Sequence, residues 1–415
     1  MGRRLVATAL AGALAVSAAA CSTGGDGIQI NVYYAPENNF QTVIDECNQQ
    51  AGGRYHINYQ VLPRGADDQR VQLARRLAAG DREMDVMALD VTWTPEFANA
   101  GWVLEWTGDN KAQAEAGTLQ QPLQTATWQG KLYAAPKNTN VELLWYRTDL
   151  VPNPPTTWDQ MIDMSLQLKQ QGKTYQVLTM GAQYEGLVVL YNTLAVSAGG
   201  QIISDDGTRA VMNAGAVRGL EVLQRFASAG VTAASFTNQL EDDVRLAYQS
   251  GGGAFQINWP FVYAAMQKDA PELAAKTKWA RVPAVDPPGT PSRVTIGGYH
   301  LGVSSFSRYP QEAFETVLCL RSPEHQKFSA INDGVPPTIE AVYAGPEMEQ
   351  AYPMRDLILE ELRNAALRPR TPAYQNVSTV LSATLSPPAD IQPVKTADEL
   401  RSSLQDALES KGVLP

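Results

Sequence analysis

Cysteine and histidine are scarce in this chain. Its 415 residues hold three of each: Cys21, Cys47 and Cys319, and His56, His300 and His325. Three cysteines cannot build a disulfide scaffold, and three scattered histidines leave little for a histidine-rich metal site. Basic residues are outnumbered, 33 Lys and Arg against 43 Asp and Glu, for a formal charge of −10. Nucleic-acid binding and polybasic membrane anchoring both need dense positive charge, so neither is expected. Beyond residue 20 nothing resembles a membrane-spanning run. What the chain does have is 44% apolar and 18% charged residues, enough to bury real cores. Its length suits about three average domains, or one pair built from discontinuous segments.

The first twenty residues read as a signal peptide. Arg3 and Arg4 form a short positive region, and residues 5–20 carry no charge. That apolar run is marginal for a spanning helix and typical of a secretory segment. It ends Ala18-Ala19-Ala20-Cys21 and leads into the flexible Ser22-Thr23-Gly24-Gly25. Small residues running directly into cysteine resemble a bacterial lipobox, in which Cys21 is lipidated and residues 21–27 act as an anchor linker. The usual Leu three places before the cysteine is Ala18 here, and a plain small-residue cleavage site is the alternative. Either way the mature protein is expected outside the cytoplasm, on the outer face of the membrane if lipid-anchored. Cys47 and Cys319 then remain, either as one disulfide or as two buried free thiols.

Further along, the pattern is α/β. Residues 28–34 alternate in polarity and suit a strand, followed by a turn at Ala35–Asn39 and a helix over 40–50. A second strand is expected at 57–62, then an amphipathic helix over 67–79 with Val71, Leu73, Ala74, Leu77 and Ala78 as its apolar stripe. Asp85–Asp90 reads as a short strand closing on a carboxylate. Strand, helix, strand, helix, strand at these spacings predicts a parallel sheet with covering helices. Ligands collect beyond the carboxyl ends of such strands, where Glu37 and Asp90 sit. A second α/β half begins with the strand 141–147. Thr157-Trp-Asp-Gln160 predicts a capping box opening a helix that stops at Gly172. A strand at 176–180, helices at 186–198, 213–228 and 241–250, and a strand at 254–258 follow. Val294–Ser304 reads as a strand broken by Gly297-Gly298, with a helix at 310–321 and a helical remainder.

Enzyme motifs fail in turn. Gly172-Lys173-Thr174 mimics the end of a phosphate-binding loop, but the glycine needed five places upstream is Gln167. There is no Gly-x-Ser-x-Gly elbow, His-Glu-x-x-His or Cys-x-x-Cys. Glycoside hydrolysis needs only two carboxylates, so composition alone leaves it open. The remaining chemistry is that of holding a neutral polyol, whose hydroxyls suit carboxylates and amides and whose ring face suits an aromatic.

The runs Asp85–Trp93, Lys131–Pro136, Leu144–Arg147, Glu185–Leu187, Asn258–Phe261 and Ile296–His300 occur in order. Together they resemble the extracellular solute-binding proteins of carbohydrate ABC importers. The likeness is to the maltose/trehalose-binding branch and, within it, the actinobacterial trehalose-binding lipoproteins. That resemblance implies a two-lobed, periplasmic-binding-protein-like α/β fold with hinge segments and an interlobe cleft. Lobe 1 is expected at 28–144 plus 300–333, and lobe 2 at 145–299 plus 334–415. Cys47 and Cys319 then fall on helices of lobe 1, which favours the disulfide.

Carried over by position, Asp90 and Asn140 are expected to hydrogen-bond sugar hydroxyls from lobe 1, and Glu241 from lobe 2. Trp259 is expected to stack on a sugar ring. Gly298 and Tyr299 bring backbone and ring close to the ligand, and Arg368 donates from lobe 2. The first loop is shorter than the Asp-bearing loop of the mycobacterial relatives, so that acid's role falls to Glu37 or Asn38. Arg70 and Glu185 are weaker candidates, with a solvated helix charge and a helix cap as their plain readings. The implied protein is a monomer without catalysis, cofactor or metal. It captures a disaccharide, trehalose foremost, and delivers it to ABC permease subunits coupled to a cytoplasmic ATPase. Maltose, maltodextrin or another glycoside is the alternative ligand, and a secreted glycoside hydrolase the alternative activity.

Overall fold

A computed structural model describes residues 27–286 and 290–411. The expected signal peptide and Cys21 lie outside the described residues. Among the described residues no helix is long and apolar enough to cross a membrane.

Two sheets organise the chain. In the first, the strands run in the order Tyr55–Val61, Ile28–Tyr34, Val86–Asp90, Tyr299–Val303 and Ala135–Pro136. The first three are parallel, and Tyr299–Val303 runs antiparallel to both its neighbours. Ile30 and Val32 are wholly buried, which is what alternation in the first strand requires. In the second sheet the order is Thr277–Ala280, Leu143–Arg147, Gly253–Asn258 and Gln176–Leu178. Its first three strands are antiparallel and its last pair parallel. Leu143 and Leu144, assigned from sequence to the first lobe, pair with Asn258 and Ile257 of the second sheet. Tyr299, assigned to the second, pairs with Asp90 of the first.

Local rules explain most elements. Gln160 N donates to the Thr157 hydroxyl at 3.1 Å, capping the helix Trp158–Gln170. The return arm of the expected box goes elsewhere: Gln160 Oε1 accepts from Thr156 N at 2.7 Å. The helix Ala66–Ala78 departs from its expected stripe. Leu73 and Leu77 are buried, but Val71 is 38% exposed and Gln69 is buried in its place. Gln69 is tied inward by donating to the Pro63 and Arg64 carbonyls, a contact no apolar periodicity registers. Cys47 and Cys319 form a disulfide joining the helices Phe40–Ala51 and Pro310–Leu320, with Cα atoms 5.9 Å apart.

Three segments pass between the sheets side by side, at 137–142, 294–298 and 334–339. Gly297 N donates to Asn140 O at 2.9 Å, and Thr139 N to Pro336 O at 3.0 Å. Their close approach needs glycine. Gly298 has φ +121°, and a Cβ there would lie 2.6 Å from Asn138 O. Every residue expected to touch a ligand, apart from Glu37 and Asn38, lies on or beside these crossings or on the elements facing them.

Candidate functional site

Asp90 ends its strand and sits opposite Tyr299 in register. Its Oδ1 accepts from Thr92 N at 3.0 Å, from the Thr92 hydroxyl at 2.9 Å and from Arg368 Nη2 at 3.1 Å. Arg368 also donates to Glu185 through Nη1 and to Ile296 O at 3.3 Å. Glu185 accepts from the Tyr374 hydroxyl at 2.5 Å and from Ser378. Burial raises the Glu185 carboxyl above the usual range, with Arg368, Ser378 and Tyr374 opposing it. Burial also works against the Arg368 charge, but Asp90, Tyr374 and Glu185 outweigh it, and the guanidinium lies above its ordinary pKa. Glu185 is thus no mere helix cap: it anchors Arg368 beside the 294–298 crossing.

Glu241 opens the helix Glu241–Gln249, and its carbonyl accepts from Asn258 Nδ2 at 3.0 Å. Asn258 Oδ1 in turn accepts from Trp259 N at 2.8 Å, so one amide fixes both expected contacts from the second sheet. The indole edge packs on the crossing segment: a Cβ added at Gly297 would meet Trp259 at 3.1 Å and Asn140 Cβ at 3.4 Å. Burial raises the Glu241 carboxyl, opposed by its own amide and by Tyr184 and Trp259 beside it. Burial likewise raises the Tyr299 hydroxyl, reinforced by Asp90 and Glu241.

Burial separates the cluster into two tiers. Asp90, Asn140, Glu241, Trp259, Gly298 and Tyr299 are each half-buried, whereas Glu142, Glu185 and Arg368 lie fully buried behind them. The front tier presents acceptors and aromatic surface. The Asn140 Oδ1 acceptor is buried without a partner. Glu142 was not expected from the sequence, and both its carboxyl oxygens are also buried and unpartnered. Burial next to Glu241 pushes its carboxyl up to about 8, with Arg368 opposing. One signal was available: Glu142 is a lone acid inside the strongly apolar run 141–146.

The other candidates stand apart from this cluster. Glu37 is committed to a buried ion pair, accepting from Lys137 Nζ at 3.0 and 2.8 Å and from the Ser329 hydroxyl at 2.8 Å. Lys137 also lies 4.7 Å over the Tyr34 ring. Asn38 is exposed. Arg70 is not a solvated charge: it forms a two-pronged, part-buried ion pair with Glu96. Outside the cluster, Arg64 reaches from the first lobe to Asp242 of the second at 3.0 Å.

Two α/β bodies joined by three crossing segments, with hydroxyl-matching acceptors and an indole where they meet, define a two-lobed ligand-capturing protein of the periplasmic-binding-protein-like class. Residues 35–327 match the family described as bacterial extracellular solute-binding protein, and the chain belongs to that family. It is a binding protein and not an enzyme. A probable ABC transporter-binding protein of Deinococcus radiodurans is 30% identical over 336 residues, 78% of this chain and 79% of the relative. A lactose-binding protein of Rhizobium radiobacter is 22% identical over 75% of each chain. Among solved structures, maltose-bound MalE3 of T. maritima superposes with a TM-score of 0.82 at 26% identity, over 92% of this chain and all of that one.

Proposed function

We propose that this chain is the sugar-capturing subunit of an ABC importer, binding trehalose or a closely similar disaccharide between its lobes and delivering it to a permease. The observation that carries the reading is the front tier itself. Asp90, Asn140 and Glu241 offer acceptors from both sides of the crossing, and the Trp259 indole lies beside them. Charge-assisted hydrogen bonds contribute about 1.5–3 kcal/mol each. Several of them with one stacked ring reach ~8 kcal/mol, or roughly micromolar affinity. A maltose-bound neighbour and a lactose-binding relative support a disaccharide ligand. Arg368 acts by holding Asp90 in place, and Gly298 and Tyr299 shape the wall. Glu37 and Asn38 of the first loop stand apart from this site, so the acid's role in that loop is left to the front tier.

A ligand that touches both lobes favours the closed arrangement, since only differential contact shifts such an equilibrium. The lobes divide at the crossings, with Leu143 and Leu144 on the second sheet and Tyr299 on the first, which shifts the expected limits of 28–144 with 300–333 and 145–299 with 334–415 by one or two residues. Lipid on Cys21 tethers the chain near its permease. Calorimetry with trehalose, maltose, lactose and glucose tests the reading. Trehalose binding tightest supports it, and maltose binding tighter moves the assignment to the maltose side of the branch. Heat-silent titrations with all four sugars overturn it.

A further inference from the structure

Glu142 is the one charged-type side chain of the crossing segment 137–142 with no partner for either oxygen. It is wholly buried. Glu241 lies near it at the start of its helix and Arg368 on the segment that follows Ala366, beside the 294–298 crossing, and its presence also raises the buried Tyr184 hydroxyl. Arg368 opposes its rise through charge but donates no hydrogen bond to it: both terminal nitrogens are taken by Asp90, Glu185 and Ile296 O, and Nε is buried without a partner. A second full charge here would lie dry beside Glu241 with no hydrogen bond to stabilise it.

We infer that Glu142 is a positioning residue that carries a proton in the folded protein, keeps the Glu142–Glu241 pair at a single negative charge, and so makes ligand capture proton-dependent. The inference deepens the sugar-binding reading and rests on it for its functional half. When Glu142 loses its proton, like-charge repulsion displaces Glu241 from the hydroxyls it accepts, and affinity falls. The loss belongs near pH 8, where burial has moved the Glu142 carboxyl. The neighbouring Glu185 and Glu241 carboxyls are also raised by burial. The Tyr184, Tyr299 and Tyr374 hydroxyls are raised by burial above their ordinary range, and burial holds His300 near 3.

The sign for stability is opposite to that of a salt-bridged acid. The folded pKa lies above the unfolded one, so the contribution is present at acid pH and is lost as pH rises through about 8.

The test compares wild type with Glu142→Gln, which mimics the protonated form. Melting temperatures are taken from pH 5 to 9, and trehalose and maltose affinities from pH 6 to 9. The melting difference should widen in favour of Gln up to about pH 8 and then level. Wild-type affinity should fall at least tenfold between pH 7 and 9, and that of the variant less than twofold. A melting difference flat with pH overturns the proton on Glu142. A widening difference with equal alkaline loss of affinity in both proteins overturns its coupling to binding. Absence of sugar binding at every pH overturns the functional reading instead, while the melting series still decides the proton. Infrared spectra of wild type serve if the variant does not fold: a protonated carboxyl band present at pH 7.5 and gone by pH 9.5 supports the inference, and its absence at pH 7.5 overturns it.

Discussion

Arg368 Nη2 lies 3.1 Å from Asp90 Oδ1, so a residue from the C-terminal third holds the acid that ends a strand of the first sheet. The same guanidinium holds Glu185. Binding wall and hinge are therefore one electrostatic unit, and its removal should register in both stability and capture.

Arg368→Leu leaves Asp90 without its cation and Glu185 buried with only the Tyr374 and Ser378 hydroxyls. Breaking a buried pair from one side costs about 3–5 kcal/mol. Urea denaturation of the variant should show a loss of that size, and a change under about 1 kcal/mol would mean that the pair breaks even against solvent.

Trp259→Ala and Asp90→Ala should each abolish measurable disaccharide binding while the protein still melts cooperatively. Both positions are half-buried, and neither carries the core. Calorimetry beside a thermal scan checks this. Near-wild-type affinity in both variants would remove the proposed site.

Gly298→Ala should loosen the crossing. The position holds φ +121°, and the new Cβ would meet Asn138 O at 2.6 Å and Thr139 Cα at 2.6 Å. Backbone in such a region costs about 1–3 kcal/mol for an L-residue even before the clash. A lower melting temperature and weaker sugar binding are expected together. Unchanged values for both would show that the crossings tolerate separation.

Cys47→Ser removes a link between residues 272 positions apart. Closing so long a loop constrains the unfolded chain, and loss of a native disulfide typically costs about 2–5 kcal/mol. The variant should melt lower than wild type under oxidising conditions, and the two should converge in reductant. Equal melting without reductant would contradict a stabilising role.

Legibility followed the physics of each feature. The strand Ile28–Tyr34 and the helix Ala214–Ser228 were readable because burial imposes a local period and Asn213 caps the helix, and Glu185–Ser197 because its apolar run has helical length. Gln69 was not, because its burial depends on two carbonyls of the preceding loop. Glu37 looked like a ligand contact from its place after a strand. Its actual partners, Lys137 and Ser329, lie about 100 and 290 residues away and carry no local mark. Glu142 was visible as an acid in an apolar run, yet only the packing around it shows that neither oxygen has a hydrogen-bond partner.

Sequence by itself determined the α/β character, most helices and strands, the absence of catalytic motifs and the family. Each of these is written in local periodicity, caps or short ordered runs. Tertiary structure alone decided which charges meet. Asp90, Glu185 and Arg368 come together only because the fold brings a strand end, a helix start and the segment after Ala366 side by side, and the energy of a buried charge depends on that company rather than on its neighbours in the chain.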